Sequence, residues 1–358
     1  MTKRSQMLDL LRWVSAFLVL IGHIRSILFE DFKSEHATIF HKFIYFITGF
    51  GSQAVFVFFV LSGYLVCQSI LKQYRAKTFQ LKNYTVNRLT RIYIVLIPAL
   101  LFTLLFDSLG SWIDQEHIYT GSTVISSLKA DPLSRLDVFH FITSLGMLQN
   151  ITLPIYGSNG PLWSLNFEVI YYAIIPFIIG LFFIKEVKSI VIYIIIISLF
   201  LYLMPRFILL SMSIWLCGLL PIFIKKEYLF LKYGCLIGLS ILLYISRTHV
   251  STPVDNFFIA LTVGLFISTV NDTEIIQNPT FIHKKLASFS YSLYLVHYPF
   301  CLFILVFVNR FVTPAIKIRM NIESLLIFAL IILLTGAFAR FIAYFTEDKT
   351  DFIRKKIA

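Results

Sequence analysis

Four ionisable side chains stand inside apolar runs of the chain: Arg12, His23, Glu168 and His297. A charge within a membrane span is expensive, so it faces the interior of a bundle and marks a site or a pathway. Arg12 and His23 are eleven residues apart, roughly 16 Å along a helix and about three turns, so both project from nearly one face. His23 lies near the outer end of an upward-running helix and Glu168 near the outer start of a downward-running one. Both are expected about 9 Å below the outer surface. A carboxylate beside an imidazole fixes its tautomer and raises its basicity, which is the arrangement needed to take a proton from an alcohol. Matching depth permits that contact without requiring it, and Glu168 could instead neutralise Arg25. His297, in YSLYLVHYP, reads equally as packing beside Pro299.

A second chemistry belongs to arginine. Arg88 and Arg91 open an apolar run and Arg12 begins another, and guanidinium forks suit phosphate in shape as well as charge. The neighbouring Lys72, Arg75, Lys77 and Lys82 are read as topology signals only. Ser62 and Gly63, small residues in FVFFVLSGYL, allow either close helix packing or a slender ligand.

The elements that must position these groups are long apolar helices. Of 358 residues, 58% are hydrophobic and 14% charged, against about 25% charged in an ordinary soluble domain. Apolar runs recur from Val14 to Phe345, so the chain is expected to be an all-α polytopic membrane bundle forming one domain over residues 1–358. About ten transmembrane helices are expected, at 8–29, 50–71, 92–111, 162–184, 188–204, 207–224, 231–246, 255–270, 286–308 and 323–345. With both termini cytoplasmic, the inner segments hold 19 of the 31 basic residues and the outer ones 9, in accord with the positive-inside rule. Arg310, Lys317 and Arg319 run against it. The net charge of +12 lies between apolar segments, which argues against nucleic acid. Asp9, Arg12 and Arg25 interrupt the first run and no cleavage site follows, so it is read as a retained span. Cys67, Cys217, Cys235 and Cys301 have no ligand-like spacing, so neither a disulfide framework nor a metal is expected. A long outer loop over about 112–161 is expected to shape an external entrance.

Five blocks in order resemble the acyltransferase-3 family of integral membrane acyltransferases, in its single-module form. LDLLRWVSAFLVLIGH carries the R-x10-H spacing of Arg12 and His23. GSQAVFVFFVLSGYL resembles the second-span motif, NRLTRIYIVLIPA the arginine pair Arg88 and Arg91, GPLWSLNFEVIYYAIIP the motif ending in Glu168, and SFSYSLYLVHYP the late motif ending in His297. The chain departs from the pattern at Leu10, Trp13 and Asn166, where smaller residues are common. The resemblance implies O-acyl transfer, most often of acetyl, from cytoplasmic acyl-CoA to a hydroxyl of a cell-surface polysaccharide or its lipid-linked precursor in the bacterial inner membrane. It implies His23 and Glu168 as catalytic groups, Arg12, Arg88 and Arg91 at the acyl-CoA phosphates, and Ser62, Gly63, Trp163, Tyr294 and His297 along the substrate path. The expected partners are the lipid bilayer, acyl-CoA and a sugar or glycan acceptor. A proton-coupled secondary transporter is the competing reading of the same buried charges.

Overall fold

A computed structural model describes residues 2–32, 38–120, 125, 128, 131–149, 151, 153–224, 228–249, 251–270, 281–315 and 317–357. Lys225 and Lys226, part of the charge count above, lie outside the described residues, as do parts of the 112–161 loop. The described residues fold into helices, in order α1 Lys3–Leu28, α2 Ile39–Ile47, α3 Gly51–Arg75, α4 Leu81–Ile113, α5 Val138–Leu145, α6 Leu162–Gly180, α7 Val187–Leu203 and α8 Arg206–Leu216. There follow α9 Leu220–Phe223, α10 Leu229–Ile245, α11 Pro253–Ser268, α12 Phe281–Ala287, α13 Ser290–Phe311, α14 Ile322–Phe345 and α15 Thr350–Ile357.

Among the described residues, 7 helices are long and apolar enough to cross a membrane, and three shorter apolar helices, α7, α10 and α11, fall where spans were expected. The side chains are sorted for lipid rather than water. Val191, Ile192, Ile194 and Ile195 of α7 are all exposed, while Asp107, Ser158, Asn159 and Ser292 are buried. In water such an apolar surface would drive association; in hydrocarbon it is the favourable outside, and polar groups turn inward to partners.

Two boundaries differ from the sequence expectation. α4 begins at Leu81, so Arg88 and Arg91 stand two to three turns inside a helix and not at its mouth. No proline or glycine interrupts residues 81–92, and nothing stops the helix from continuing into the basic segment. The expected ninth span breaks between α12 and α13, where the Ser288 and Ser290 hydroxyls donate to the Lys285 and Ala287 carbonyls. Such local bonds compete with helix continuation.

α13 is the centre of the bundle, with α1, α4 and α14 packed around it. α1 packs on α3, α12, α13 and α14, whereas α6 packs on α3, α7 and α8. α3 thus stands between the helix of His23 and the helix of Glu168. Its approach to the segment after α8 is close: a Cβ at Gly63 would overlap the Trp215 carbonyl, and one at Gly218 the Val60 carbonyl.

Candidate active site

Between α1, α3, α4, α6 and α13 lies a cavity with about 90 Å³ open to the centres of water-sized spheres. One water needs about 10–15 Å³ by that measure, so the space fits several waters or one slender chain. Arg12, Arg88, Arg91 and Glu168 line it, with Ser62, Ser164, Tyr172, Tyr291 and Tyr294. Three guanidiniums thus share the wall with one carboxylate.

Each charge is held differently. The Arg88 guanidinium sits 5.5 Å from the ring centres of both Tyr84 and Tyr172, and its Nε–H is buried without a partner. Arg91 is enclosed by protein yet turns its surface to the void; the groups facing it are Tyr172, Glu168, Glu347 and Tyr291. Arg12 lies 3.7 Å from Asp9 one turn back. Glu347, just past α14, accepts from the Ser292 N–H at 3.1 Å and hydroxyl at 3.0 Å. Ser62 accepts from Trp215 Nε1 at 3.2 Å and shares a 2.9 Å bond with the Tyr172 hydroxyl.

Two prolines explain how this wall is built. A proline inside a helix removes the N–H that would bond the carbonyl four residues back. Pro176 frees the Tyr172 carbonyl, and the Tyr84 hydroxyl takes it at 2.9 Å. Pro299 frees the Leu295 carbonyl, and Asn159 Nδ2 takes it at 3.0 Å while also donating to Thr103 at 3.0 Å. Next to Asn159, Ser158 donates its N–H and its hydroxyl to the buried Asp107 carboxylate, both at 2.7 Å. Gly157 turns there with φ +52, where a side chain would strike Asp107. The segment entering α6 is thereby pinned to α4 and α13, which sets the height of Glu168.

His23 lies beyond this cavity wall. Its ring centre is 5.3 Å from that of His297 and 5.1 Å from Tyr298. His297 is 6.0 Å from Tyr294, which lines the cavity and bonds Ser164 at 2.7 Å through its hydroxyl. Tyr294 and His297 thus stand in sequence between the cavity and His23. His297 Nδ1 is 2.9 Å from the Tyr294 carbonyl and 3.1 Å from that of Leu293. Carbonyls only accept, so Nδ1 carries the proton and Nε2 presents a bare lone pair. That Nε2 is buried and has no hydrogen-bond partner.

The residues singled out from sequence thus fall into two groups. Arg12, Arg88, Arg91, Glu168, Ser62 and Tyr294 share the cavity; His23 and His297 form a pair behind it. No hydrogen bond or ion pair joins His23 to Glu168 or Glu168 to Arg25 among the described residues. α3 packs against both α1, which carries His23, and α6, which carries Glu168. Arg25 lies instead on the Tyr45 ring. Gly63 serves the Trp215 contact, and Trp163 packs against Phe59 and Phe167. Sequence reading passed over Asp107, Glu347, Tyr172 and Tyr291; for Asp107 the signal was an acid in the apolar run LLFDSLG.

Outside the spans, Asp137 caps α5. His140 donates its backbone N–H at 2.8 Å and its ring lies 2.7 Å away, which together hold this exposed carboxyl below its ordinary value.

The described helices enclose an arginine-lined cavity beside a pair of imidazoles, in a bundle whose outer surface is apolar. Residues 6–343, nearly the whole chain, match the acyltransferase domain of the acyltransferase-3 family, and the chain belongs to that family. With its long apolar helices it is an integral membrane acyltransferase. Among curated proteins and among solved structures the chain finds no match.

Proposed function

We propose that the protein is an O-acetyltransferase of the bacterial inner membrane, moving acetyl from cytoplasmic acetyl-CoA to a hydroxyl of a surface polysaccharide or its lipid-linked precursor. The observation that carries this reading is the narrow cavity walled by Arg12, Arg88 and Arg91 that ends at Tyr294, one residue contact from the His297–His23 pair. The arginines hold the donor's phosphates, and the pantetheine arm follows the cavity toward Tyr294.

His23 is the general base. The acceptor oxygen attacks the thioester carbonyl, its proton passes to His23, the carbon–sulfur bond breaks, and the departing thiolate takes that proton back. His297 is the positioning residue, its bare Nε2 available to accept an N–H from His23 as the site tightens around substrate. Glu168 acts through charge, balancing Arg91 so that the three guanidiniums do not repel one another out of place.

Protein in liposomes is incubated with radiolabelled acetyl-CoA and a glycan acceptor. Label in the glycan is the expected result; solute flux with no label transfer would make the protein a carrier and overturn the reading. Mass spectrometry of surface glycans from cells with and without the protein identifies the acceptor.

A further inference from the structure

At the end of the bundle away from the termini, the guanidiniums of Arg25 and Arg247 both lie against Tyr45, and among the described residues no carboxylate is bonded to either. Arg25, in the last turn of α1, lies 5.1 Å from the Tyr45 ring centre, and its Nε–H is buried without a partner. Arg247, just past α10, reaches the same place, its Nη1 donating to the Gly49 carbonyl at 3.2 Å and Nη2 to that of Tyr45 at 3.4 Å. It also lies 6.0 Å from the Phe50 ring centre. A Cβ at residue 49 would collide with the guanidinium, so glycine there is what lets Arg247 lie across this corner and face Arg25.

The nearby acids are already engaged. Asp31 takes Lys317 at 2.8 Å and Glu30 takes Arg319 at 3.8 Å. Two of the cations that run against the charge asymmetry thus have ion-pair partners, while among the described residues no ion pair is made by Arg25 or Arg247. Like charges held together in fixed geometry, with N–H groups unspent, are stable when an anion sits between them.

We infer that Arg25 and Arg247 form a phosphate subsite for the acceptor, occupied by the phosphate that joins a growing glycan to its polyprenyl carrier. This rests on the acyltransferase reading above and names the acceptor's anionic end. Arg25 is two residues beyond His23 and so on the other flank of α1. The subsite therefore holds the carrier phosphate and leaves the reacting hydroxyl to the His23 side.

The test titrates purified protein in uncharged detergent with a polyprenyl monophosphate, the matching polyprenol and phosphatidylglycerol. The phosphate is expected to bind at least about tenfold more tightly than either of the others, the effect of one charge-assisted hydrogen bond. Arg25→Gln and Arg247→Gln should each remove about that factor, with the lysine substitutions intermediate and Arg319→Gln unchanged. Should Arg25→Gln fold poorly, Arg247→Gln carries the test alone, since that side chain is exposed and bonds only backbone carbonyls. Equal binding of phosphate and polyprenol, unchanged affinity in the folded variants, or equal binding of phosphatidylglycerol would overturn the inference. Acetyl transfer from acetyl-CoA is read on the same wild-type preparation with an uncharged sugar and with a polyprenyl-phosphate-linked sugar as acceptor. Transfer without phosphate discrimination sinks the subsite alone, and absence of transfer to either acceptor sinks the acyltransferase reading and, with it, the acceptor role of the subsite.

Discussion

His297 offers a substitution in which stability and turnover should move apart. Its Nδ1–H is spent on the Tyr294 and Leu293 carbonyls, within the same helix, and its Nε2 lone pair is buried without a partner. Asparagine places an amide N–H where Nδ1 was and nothing where Nε2 was. Glutamine does the reverse, placing an amide group near Nε2 and giving up the bond to the helix. An unsatisfied buried polar atom costs about 1–3 kcal/mol, and a satisfied neutral hydrogen bond contributes about 0.5–1.5 kcal/mol. His297→Asn should therefore melt close to the parent in detergent, because it keeps the bond to the helix. Asparagine keeps the bond but exchanges the orphan Nε2 for its own unpartnered Oδ1, so its stability is set by the bond it keeps, and His297→Gln, which gives that bond up, should be the less stable of the two. If Nε2 positions His23, His297→Asn should lose about 10-fold in turnover, the worth of one neutral hydrogen bond made only with substrate bound, and His297→Gln should be the more active. The two readouts come from one preparation, as thermal midpoint and acetyl transfer at saturating acetyl-CoA. A His297→Asn protein with parental turnover, or one more active than His297→Gln, would refute a positioning role and reduce His297 to packing.

Other outcomes follow from the same geometry. His23→Ala should abolish transfer by about 10²–10⁴-fold while the folded protein still reaches the membrane; acylation near the parental rate in a well-expressed variant would end its assignment as base. Arg91→Ala, and less strongly Arg88→Ala, should weaken acetyl-CoA binding by titration while Lys77→Ala does not, because the first two line the cavity and Lys77 lies in the exposed turn after α3. Asp107→Ala strips two 2.7 Å acceptor contacts from a buried Ser158, so it should cost about 2–5 kcal/mol of stability; a loss under 0.5 kcal/mol would show that the entry to α6 is held some other way. Asp137 is held below its ordinary carboxyl value by the His140 backbone N–H and then its ring, so its cap on α5 is complete above about pH 4 and is lost only as pH falls through the depressed value. Hydrogen exchange of the α5 amides should be flat, after correction for intrinsic rates, down to that range and rise below it; a break well above it would show that the Asp137 carboxylate is not what holds the cap.

How far the sequence reached can be judged at Glu168 and His23. Their depths were legible because a helix rises 1.5 Å per residue and the ends of apolar runs locate the membrane surfaces. Their separation was not, because depth says nothing about which helices are neighbours. That choice is made by close backbone approaches such as Gly63 on Trp215 and Gly218 on Val60, whose partners lie more than 150 positions apart in the chain. The grouping of Arg12, Arg88 and Arg91 was legible in part, since all three lie toward one end of their spans. Glu347 was passed over, and only the packing of α14 on α13 turns its carboxylate to Ser292. The start of α4 was misplaced for a related reason: a dense run of cations resembles a loop by composition, although each of its residues tolerates a helix.

The prolines tie these observations together. Pro176 and Pro299 each open one carbonyl in a helix that lines the cavity, and within a membrane an open carbonyl must find a donor from another element. The donor at Tyr172 is Tyr84, on the turn of α4 that precedes Arg88, so the bond fixes the height of the arginine pair against α6. The donor at Leu295 is Asn159, in the segment that leads into α6, so the second bond fixes the start of that helix against α13. Leu295 sits between Tyr294, which ends the cavity, and His297, which faces His23. One helix turn of α13 thus carries the cavity's end, the anchor of the outer segment and the imidazole pair. A shift of α13 by even a fraction of a turn would change all three at once, so the cavity, the segment leading into α6 and the imidazole pair are coupled through the Asn159 anchor beside Pro299 rather than through any direct contact between Glu168 and His23 among the described residues.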